Sequence, residues 1–305
     1  MLYNFQLAAI LKTDRQTNGL TLVQIQLHQD LQARLADEWD SQYIHFMNYR
    51  DENLVYFDPG YSLSEGERFR VDYNLPDWIA GKSSRTVPNL EIFNDRSYDL
   101  ESIRGIVGFA RDEQGEELIL FQKFDRSRII KRQRSIIKLQ DSDVYGDIEN
   151  QGLELDTKLS AIYFQSEARL LFYSFAITKR FLCLDNIFEA ASNQAIRDVL
   201  SHDLFAPIDT NRVIENISQN QWIRRRFAML FRSEILDNFS AQDIVDSSQG
   251  YDVSIDYDPN NHNQIVFPED RENITRVLQF LNEELFRGAI TQTLYVTNSK
   301  REYNQ

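Results

Sequence analysis

Hydrophobic and polar residues follow strand-like patterns in the middle of the chain. Ile103 to Ala110 and Glu117 to Phe124 are two such runs separated by a turn-rich segment, which predicts a β-hairpin. Leu159 to Phe164, Arg169 to Phe175 and Arg180 to Leu184 predict a second antiparallel set. Together these runs predict one sheet of four or five strands.

The pattern changes to a helical period after this sheet. Three apolar stripes with helical spacing predict three helices. The first stripe consists of Phe188, Ala191, Ala195 and Val199, and the second of Ile223, Phe227, Leu230, Phe231 and Ile235. The third consists of Ile274, Val277, Leu278, Leu281 and Leu285. The first helix is predicted to start at Asp185 or Asn186, and the last to open at Pro268 and end at Gly288. Strands followed by helices, without strict βαβ alternation, predict an α+β fold.

Length and composition suggest two parts. At 305 residues the chain exceeds the usual size of one hydrophobic core. The first hundred residues are acidic, aromatic-rich and interrupted by turn clusters. We therefore expect residues 1–100 to form a smaller mixed domain of unknown role, and residues 101–305 to form the α+β domain with a mainly antiparallel sheet and packed helices.

The charge is negative overall but unevenly distributed. The net charge of −14 argues against attraction of the whole surface to nucleic acid, so any DNA site must be a local patch. No apolar run is long enough to span a bilayer, and we expect a cytoplasmic protein. Cys183 is the only cysteine, which excludes an internal disulfide, and its apolar neighbours predict an inert buried thiol.

The segment from Lys123 to Lys138 is the first candidate for binding. It contains seven basic residues and one acidic residue, Asp125. If Ser127 to Leu139 is helical, Arg128, Lys131 and Lys138 project from one face and are available to phosphates. The alternatives are a solvated charged face and pairing with acidic parts of the chain.

The second candidate is the arginine cluster at residues 224–226 together with Arg232. Helical spacing puts Arg225 and Arg232 on the exposed face, where both are free to bind a ligand. Arg224 and Arg226 flank the apolar stripe and could pair with acids. Trp222 beside them could stack on a base, although an aromatic residue next to such a stripe more often belongs to the core.

Catalytic signals are weak. The four histidines show no metal-ligand spacing, and no nucleotide-binding or serine-hydrolase motif occurs. The triplet Asp156-Thr157-Lys158 resembles part of a metal-dependent nuclease site, but such triplets are common and a surface strand edge is the favoured interpretation. We assign no catalytic residue, no metal and no cofactor.

The second half of the chain resembles the KwaB-like family of the Kiwa anti-phage defence system. The resemblance is carried by segments 105–109, 120–123, 161–164, 170–172, 179–181, 222–226, 265–268, 278–281 and 295–301, the last including Asn298-Ser299-Lys300-Arg301. It implies a cytoplasmic DNA-binding protein that acts with a membrane-embedded partner, KwaA-like, and lies at the inner membrane only through that partner. Lys300 and Arg301 become further candidate DNA contacts.

Three functions remain open at this point. The leading hypothesis is an effector that binds DNA largely independently of sequence and blocks phage DNA functions. The alternatives are an interaction module that docks on an acidic partner or anionic lipid, and a metal-dependent nuclease. We also expect a homo-oligomer, with a dimer favoured, because several small basic patches would act together.

Overall fold

The chain divides into two compact units. The computed structural model describes residues 1–13, 19–48, 53–94, 97–130, 137–139, 145–147, 152–217, 220–233 and 235–297. Unit 1 comprises Met1–Phe57 and Leu63–Leu184, and unit 2 comprises Asp58–Ser62 and Asp185–Gln305.

Unit 1 is built on one large sheet. Its strands are β1 (Tyr3–Lys12), β2 (Leu20–Gln24), β3 (Leu54–Tyr56), β4 (Arg68–Asp72), β5 (Ile103–Arg111), β6 (Glu117–Lys123), β7 (Ile129–Ile130), β8 (Ile137–Leu139), β9 (Tyr145–Asp147), β10 (Gly152–Leu153), β11 (Ala161–Phe164) and β12 (Arg169–Phe172), and its helices are α1 (Gln29–Met47) and α2 (Phe175–Thr178). Eight strands form a sheet in the order β2-β1-β5-β6-β11-β12-β4-β3, antiparallel throughout except for β3 with β4. The pairs β7–β10 and β8–β9 form separate ladders.

Helix α1 packs its apolar side on this sheet. The central strands β5 and β6 are buried along most of their length, and α1 adds Leu35, Trp39 and Phe46 to the same core. The Trp39 ring lies 5.3 Å from the Phe5 ring, and a Cβ atom at Gly108 would come within 2.7 Å of Trp39. Glycine is therefore required in the middle of β5 because helix and strand approach so closely there.

Unit 2 is mainly helical. Its elements are α3 (Asp185–Leu200), α4 (Thr210–Asn216), α5 (Gln221–Arg232), α6 (Ile235–Asn238), α7 (Ala241–Ser248), β13 (Tyr257–Asp258), β14 (Asn261–Ile265), α8 (Arg271–Leu281), β15 (Leu285–Arg287) and β16 (Leu294–Val296). The core is formed by the inner faces of α3, α5 and α8 with the short strand β14, and it includes Ile196, Phe227, Ile265 and Leu278. Pairs β13–β14 and β15–β16 are antiparallel hairpins.

The end of α8 differs from its prediction. The helix starts after Asp270, whose carboxylate accepts a hydrogen bond from the Asn273 amide, and it stops at Leu281 rather than at Gly288. Glu283 has a φ of 53°, and the amides of residues 283 and 284 bond back to Phe280 and Gln279. This is a Schellman ending with glutamate at the left-handed position, where sequence patterns suggest glycine. Consequently Leu285 lies in β15 and not on the helical stripe.

The predicted fold class is confirmed, with a mainly antiparallel sheet and packed helices. Both predicted hairpins of unit 1 are present as β5–β6 and β11–β12. The predicted strand Arg180 to Leu184 is wrong, because the amides of Phe181 and Leu182 bond to the Thr178 carbonyl in a turn after α2.

Residues 1–100, which we expected to form a smaller mixed domain, contribute strands to the large sheet of unit 1. Strand β1 pairs with β5, and β4 pairs with β12, so the first hundred residues supply four strands to the same sheet as the later ones. A boundary at residue 100 therefore falls within unit 1. The compact units divide instead after Leu184, with Asp58–Ser62 counted in unit 2.

We predict that Gly108→Ala destabilises the protein by about 1–3 kcal/mol, because the added methyl group overpacks the contact with Trp39 and Phe5. Gly250→Ala is the matched control, since nothing lies within 4 Å of a Cβ atom at that position. Urea denaturation of both variants checks this. Equal stabilities of the two variants would contradict the close packing of α1 on β5.

Candidate functional site

A cleft of about 680 Å³ lies in unit 1, and many of the residues that line it are polar or charged. It is lined by Ser41, Gln42, His45, Phe46 and Asn48 from α1 and the residue after it, by Glu65, Gly66 and Arg68, by Lys123, by residues 156–160, and by Tyr173, Ser174 and Ile177. A cavity of this size is within the range that holds a small ligand.

Strand pairing creates the cationic part of this cleft. Strand β6 pairs antiparallel with β11, with Phe121 opposite Ala161, so the end of β6 meets the segment that leads into β11. Lys123 closes β6, and Asp156 lies in that incoming segment. The Lys123 amide donates to Ser160 Oγ at 3.1 Å, which joins the two segments at the cleft.

One carboxylate holds two cations beside the cleft. Asp156 Oδ2 lies 3.3 Å from Arg128 Nη2 and 3.7 Å from Lys123 Nζ, and the Asp156 side chain is only 9% exposed. Arg128 also donates to the Leu155 carbonyl at 2.9 Å and lies 3.5 Å from Glu154. Lys123 and Arg128 thus share the Asp156 carboxylate.

Buried amides fix the backbone at Asp156. The Gln122 side chain is fully buried and donates both to Gln42 Oε1 at 2.7 Å and to the Asp156 carbonyl at 2.9 Å. The Gln42 amide also reaches that carbonyl at 3.5 Å. Helix α1, strand β6 and the segment before β11 are therefore joined at this point, which pre-organises the cleft wall.

Arg68 supplies a buried cation to the cleft lining. Its side chain donates to the Phe46 and Glu67 carbonyls, and its guanidinium lies 4.1 Å from the centre of the Tyr173 ring. Burial raises the pKa of the Tyr173 hydroxyl, and the charge of Arg68 partly opposes this. The phenol is therefore neutral at physiological pH.

The lining has a local excess of positive charge. Its permanently charged residues are the cations Arg68, Lys123 and Lys158 and the carboxylates Glu65 and Asp156. Lys158 is exposed at the cleft, two residues from Asp156. In a chain with a net charge of −14, such a concave cationic site is suited to one anionic group, such as a phosphate.

The predicted helix over Ser127 to Leu139 is wrong in its described part. Residues Arg126–Arg128 form a single 3₁₀ turn, followed by β7, and residues Ile137–Leu139 form β8. Arg128 does not project from a helix face but turns onto Asp156, and its side chain is 23% exposed. Lys131 lies outside the described residues, and the side chain of Lys138 is likewise not described.

The second predicted basic face is present on α5 but engaged. Arg225 and Arg232 are exposed, as expected. Arg232 pairs with Asp58 at 2.9 Å and lies over the Tyr61 ring, while Arg225 donates to Ser62 Oγ at 3.2 Å. Gly60 permits this approach, because a Cβ atom there would lie 2.4 Å from the Ala228 carbonyl carbon. The expectation that both arginines are free is therefore wrong.

The other two arginines of α5 are buried. Arg226 pairs with the buried Glu284 at 2.7 Å and stacks on the Trp222 ring, as predicted for a residue flanking the stripe. Arg224 donates to Ser192 Oγ at 2.9 Å and to Asn193, without an acid partner in those bonds. Burial lowers the pKa of both guanidinium groups.

The predicted burial of Phe231 and of Cys183 is wrong. Phe231, expected on the buried stripe, is 52% exposed, whereas Leu230 in the same turn of α5 is buried. Cys183 is exposed rather than buried. Among the residues that the structure describes, no cluster of three or more acidic, histidine or cysteine side chains could hold a metal ion. Lys300 and Arg301 lie outside the described part of the chain.

Lys123 and Lys158 lie in one cleft, which the sequence pattern alone did not lead us to expect. The signal was present in the predicted strands: if the run ending near Lys123 pairs antiparallel with the run starting at Leu159, the two lysines lie at the same end of the sheet. The basic segment and the Asp156 triplet, which are separate features of the sequence, meet there.

Comparisons with known proteins add no relative. No protein-family model matches the chain, and no curated protein and no solved structure matches it either. Within the described residues, none of the helices has the length and apolar character needed to cross a membrane. The function is therefore inferred from the cleft and its charges, and the resemblance to the KwaB-like family stays a prediction.

We predict that Arg226→Met lowers the free energy of unfolding by about 3–5 kcal/mol, because it removes the buried guanidinium that pairs with the Glu284 carboxylate. Arg225→Met on the next residue of the same helix is the matched control and should change stability by less than about 0.5 kcal/mol. Thermal and urea denaturation check both values. A similar loss in both variants would show that Arg226 contributes no more than an exposed cation.

Proposed function

We propose that this chain binds DNA largely independently of sequence, with the cleft of unit 1 as its phosphate site. The observation that carries the proposal is the sharing of one carboxylate, Asp156, by Lys123 and Arg128 next to the exposed Lys158. Lysine and arginine side chains grouped in this way contact phosphate oxygens, which are the same at every base pair.

The electrostatics favour a diester phosphate over a neutral ligand. Asp156 and Glu154 together offset the charges of Lys123 and Arg128, so the excess positive charge of the cleft comes from Arg68 and Lys158 against Glu65. A phosphate that enters replaces water around these cations without having to displace Asp156. The acidic remainder of the chain limits binding of nucleic acid elsewhere on the surface.

Arg225 is the better of the two α5 candidates for a second contact. Its bond to Ser62 is to a neutral hydroxyl, so that bond does not cancel its charge, whereas Arg232 already has a carboxylate partner in Asp58. Lys131, Lys138, Lys300 and Arg301 remain proposed contacts on the basis of sequence alone.

The biological setting that we propose follows from the resemblance to the KwaB-like family. In that setting the chain is an anti-phage effector, acts as a homodimer with a membrane-embedded KwaA-like partner, and blocks phage DNA functions.

An interaction module is the second candidate, favoured by one observation in unit 2. The β15–β16 hairpin exposes apolar side chains, with Ile290 95% exposed and Phe286, Tyr295 and Val296 about half exposed. Exposed apolar groups on one hairpin are typical of surfaces that bind another protein. This candidate places the partner on unit 2 and assigns no role to the cleft of unit 1.

We predict that Lys158→Glu weakens DNA binding and flattens its salt dependence. Loss of one phosphate contact should reduce the slope of log affinity against log salt concentration by about 0.9 on duplex DNA, or about 0.7 on a single strand. The measurement is a titration of labelled DNA with the purified full chain at several salt concentrations, accompanied by thermal melts.

The matched control is Arg85→Glu, which makes the same charge change at another exposed position of unit 1 that does not line the cleft. It should retain the wild-type slope. If both variants lose affinity equally, the effect is one of overall charge, and if neither does, the cleft is not the phosphate site. Absence of DNA binding by the wild-type chain would favour the interaction module.

A further inference from the structure

We propose that the cleft of unit 1 holds a single unpaired nucleotide, so that the chain prefers single-stranded DNA or the open end of a duplex. This inference rests on the proposed DNA binding and specifies the form of DNA that the site accepts. It is drawn from the shape of the cleft, the depth of its cations and the chemistry of its walls.

Shape is the first argument. The cleft encloses about 680 Å³, which suits a ligand of nucleotide size and not a double helix. In a duplex the bases are stacked and paired, and only a base removed from the stack can enter such a cavity. A single strand or a frayed end offers this base at little energetic cost.

The depth of the charged groups is the second argument. Arg68 is 4% exposed, the Asp156 side chain 9% and the Arg128 side chain 23%. Proteins that bind duplex backbone without sequence preference use extended, exposed cations, whereas both of these arginines are recessed. A phosphate reaches them only if its strand follows the cleft inward, with Lys123 and the exposed Lys158 as the first contacts.

The walls supply the third argument. Beside the cations, the lining contains the hydroxyls of Ser41 and Ser174 and the amide of Asn48. Amide and hydroxyl groups can bond to the edges of any unpaired base. The Tyr173 ring also lies in the lining, where it packs edge to face against the buried Phe46 ring at 4.6 Å and has the Arg68 guanidinium 4.1 Å from its centre. Hydrogen-bonding groups beside recessed cations are suited to an unpaired nucleotide, whose base edges and phosphate are both accessible.

The test blocks the cleft without changing its charge. Ser41→Trp places an indole at the mouth from the exposed side of α1, and Ala33→Trp puts the same group on an exposed position of α1 that does not line the cleft. Fluorescence anisotropy measures binding of wild type and both variants to labelled oligothymidylate and to a blunt hairpin duplex.

We expect wild type to bind the single strand more tightly than the duplex, and Ser41→Trp to weaken single-strand binding by about tenfold or more. Ala33→Trp should bind as wild type does. Equal affinity of wild type for both DNA forms, with no effect of Ser41→Trp, would overturn the inference while leaving phosphate binding intact. If no DNA form binds, the proposed function itself has failed.

A second measurement covers the case in which Ser41→Trp does not fold. Thymidine 5′-monophosphate and inorganic phosphate are titrated separately against the wild-type complex with oligothymidylate. Displacement by the nucleotide at concentrations where inorganic phosphate has no effect supports a nucleotide site. Equal displacement by both ligands identifies a site for phosphate alone and contradicts the inference.

Discussion

The pairing of β6 with β11 is the constraint on which the site depends. Its register, Phe121 opposite Ala161, fixes where Lys123 leaves the sheet and where the segment containing Asp156 enters it. The buried Gln122 then ties that segment to α1 through Gln42 and the Asp156 carbonyl. A shift of one residue in this register would turn Gln122 to the other face of the sheet. Its hydrogen bonds to Gln42 and to the Asp156 carbonyl, which hold the cleft wall together, would then be lost.

The Asp156 carboxylate allows two cations to lie close together at the end of the sheet, where we propose that phosphate binds. Without this carboxylate, Lys123 and Arg128 would repel each other at the end of a buried sheet. With it, the two cations are held close together, and Arg128 has Glu154 as a second carboxylate at 3.5 Å. In unit 2, Arg226 and Glu284 form a buried ion pair, and removing either partner would leave a buried charge that is costly to the fold.

Local patterns allowed much of the fold to be predicted, and the failures have specific physical causes. The hairpin β5–β6 and helix α8 follow from alternation, turns and an apolar stripe within a few residues of one another. Arg128 could not be placed, because its position is determined by a carboxylate that lies 28 residues later in the chain. The end of α8 was misplaced because Glu283, and not a glycine, takes the left-handed conformation.

Photo-crosslinking tests most directly whether DNA enters the cleft of unit 1. The wild-type chain is crosslinked to an oligonucleotide that carries a photoreactive base, and the crosslinked peptides are then mapped. We expect crosslinks in peptides that contain residues 41–48 and 156–160, which supply much of the cleft lining. Efficient crosslinking confined to peptides of unit 2, with none at the cleft, would contradict this expectation.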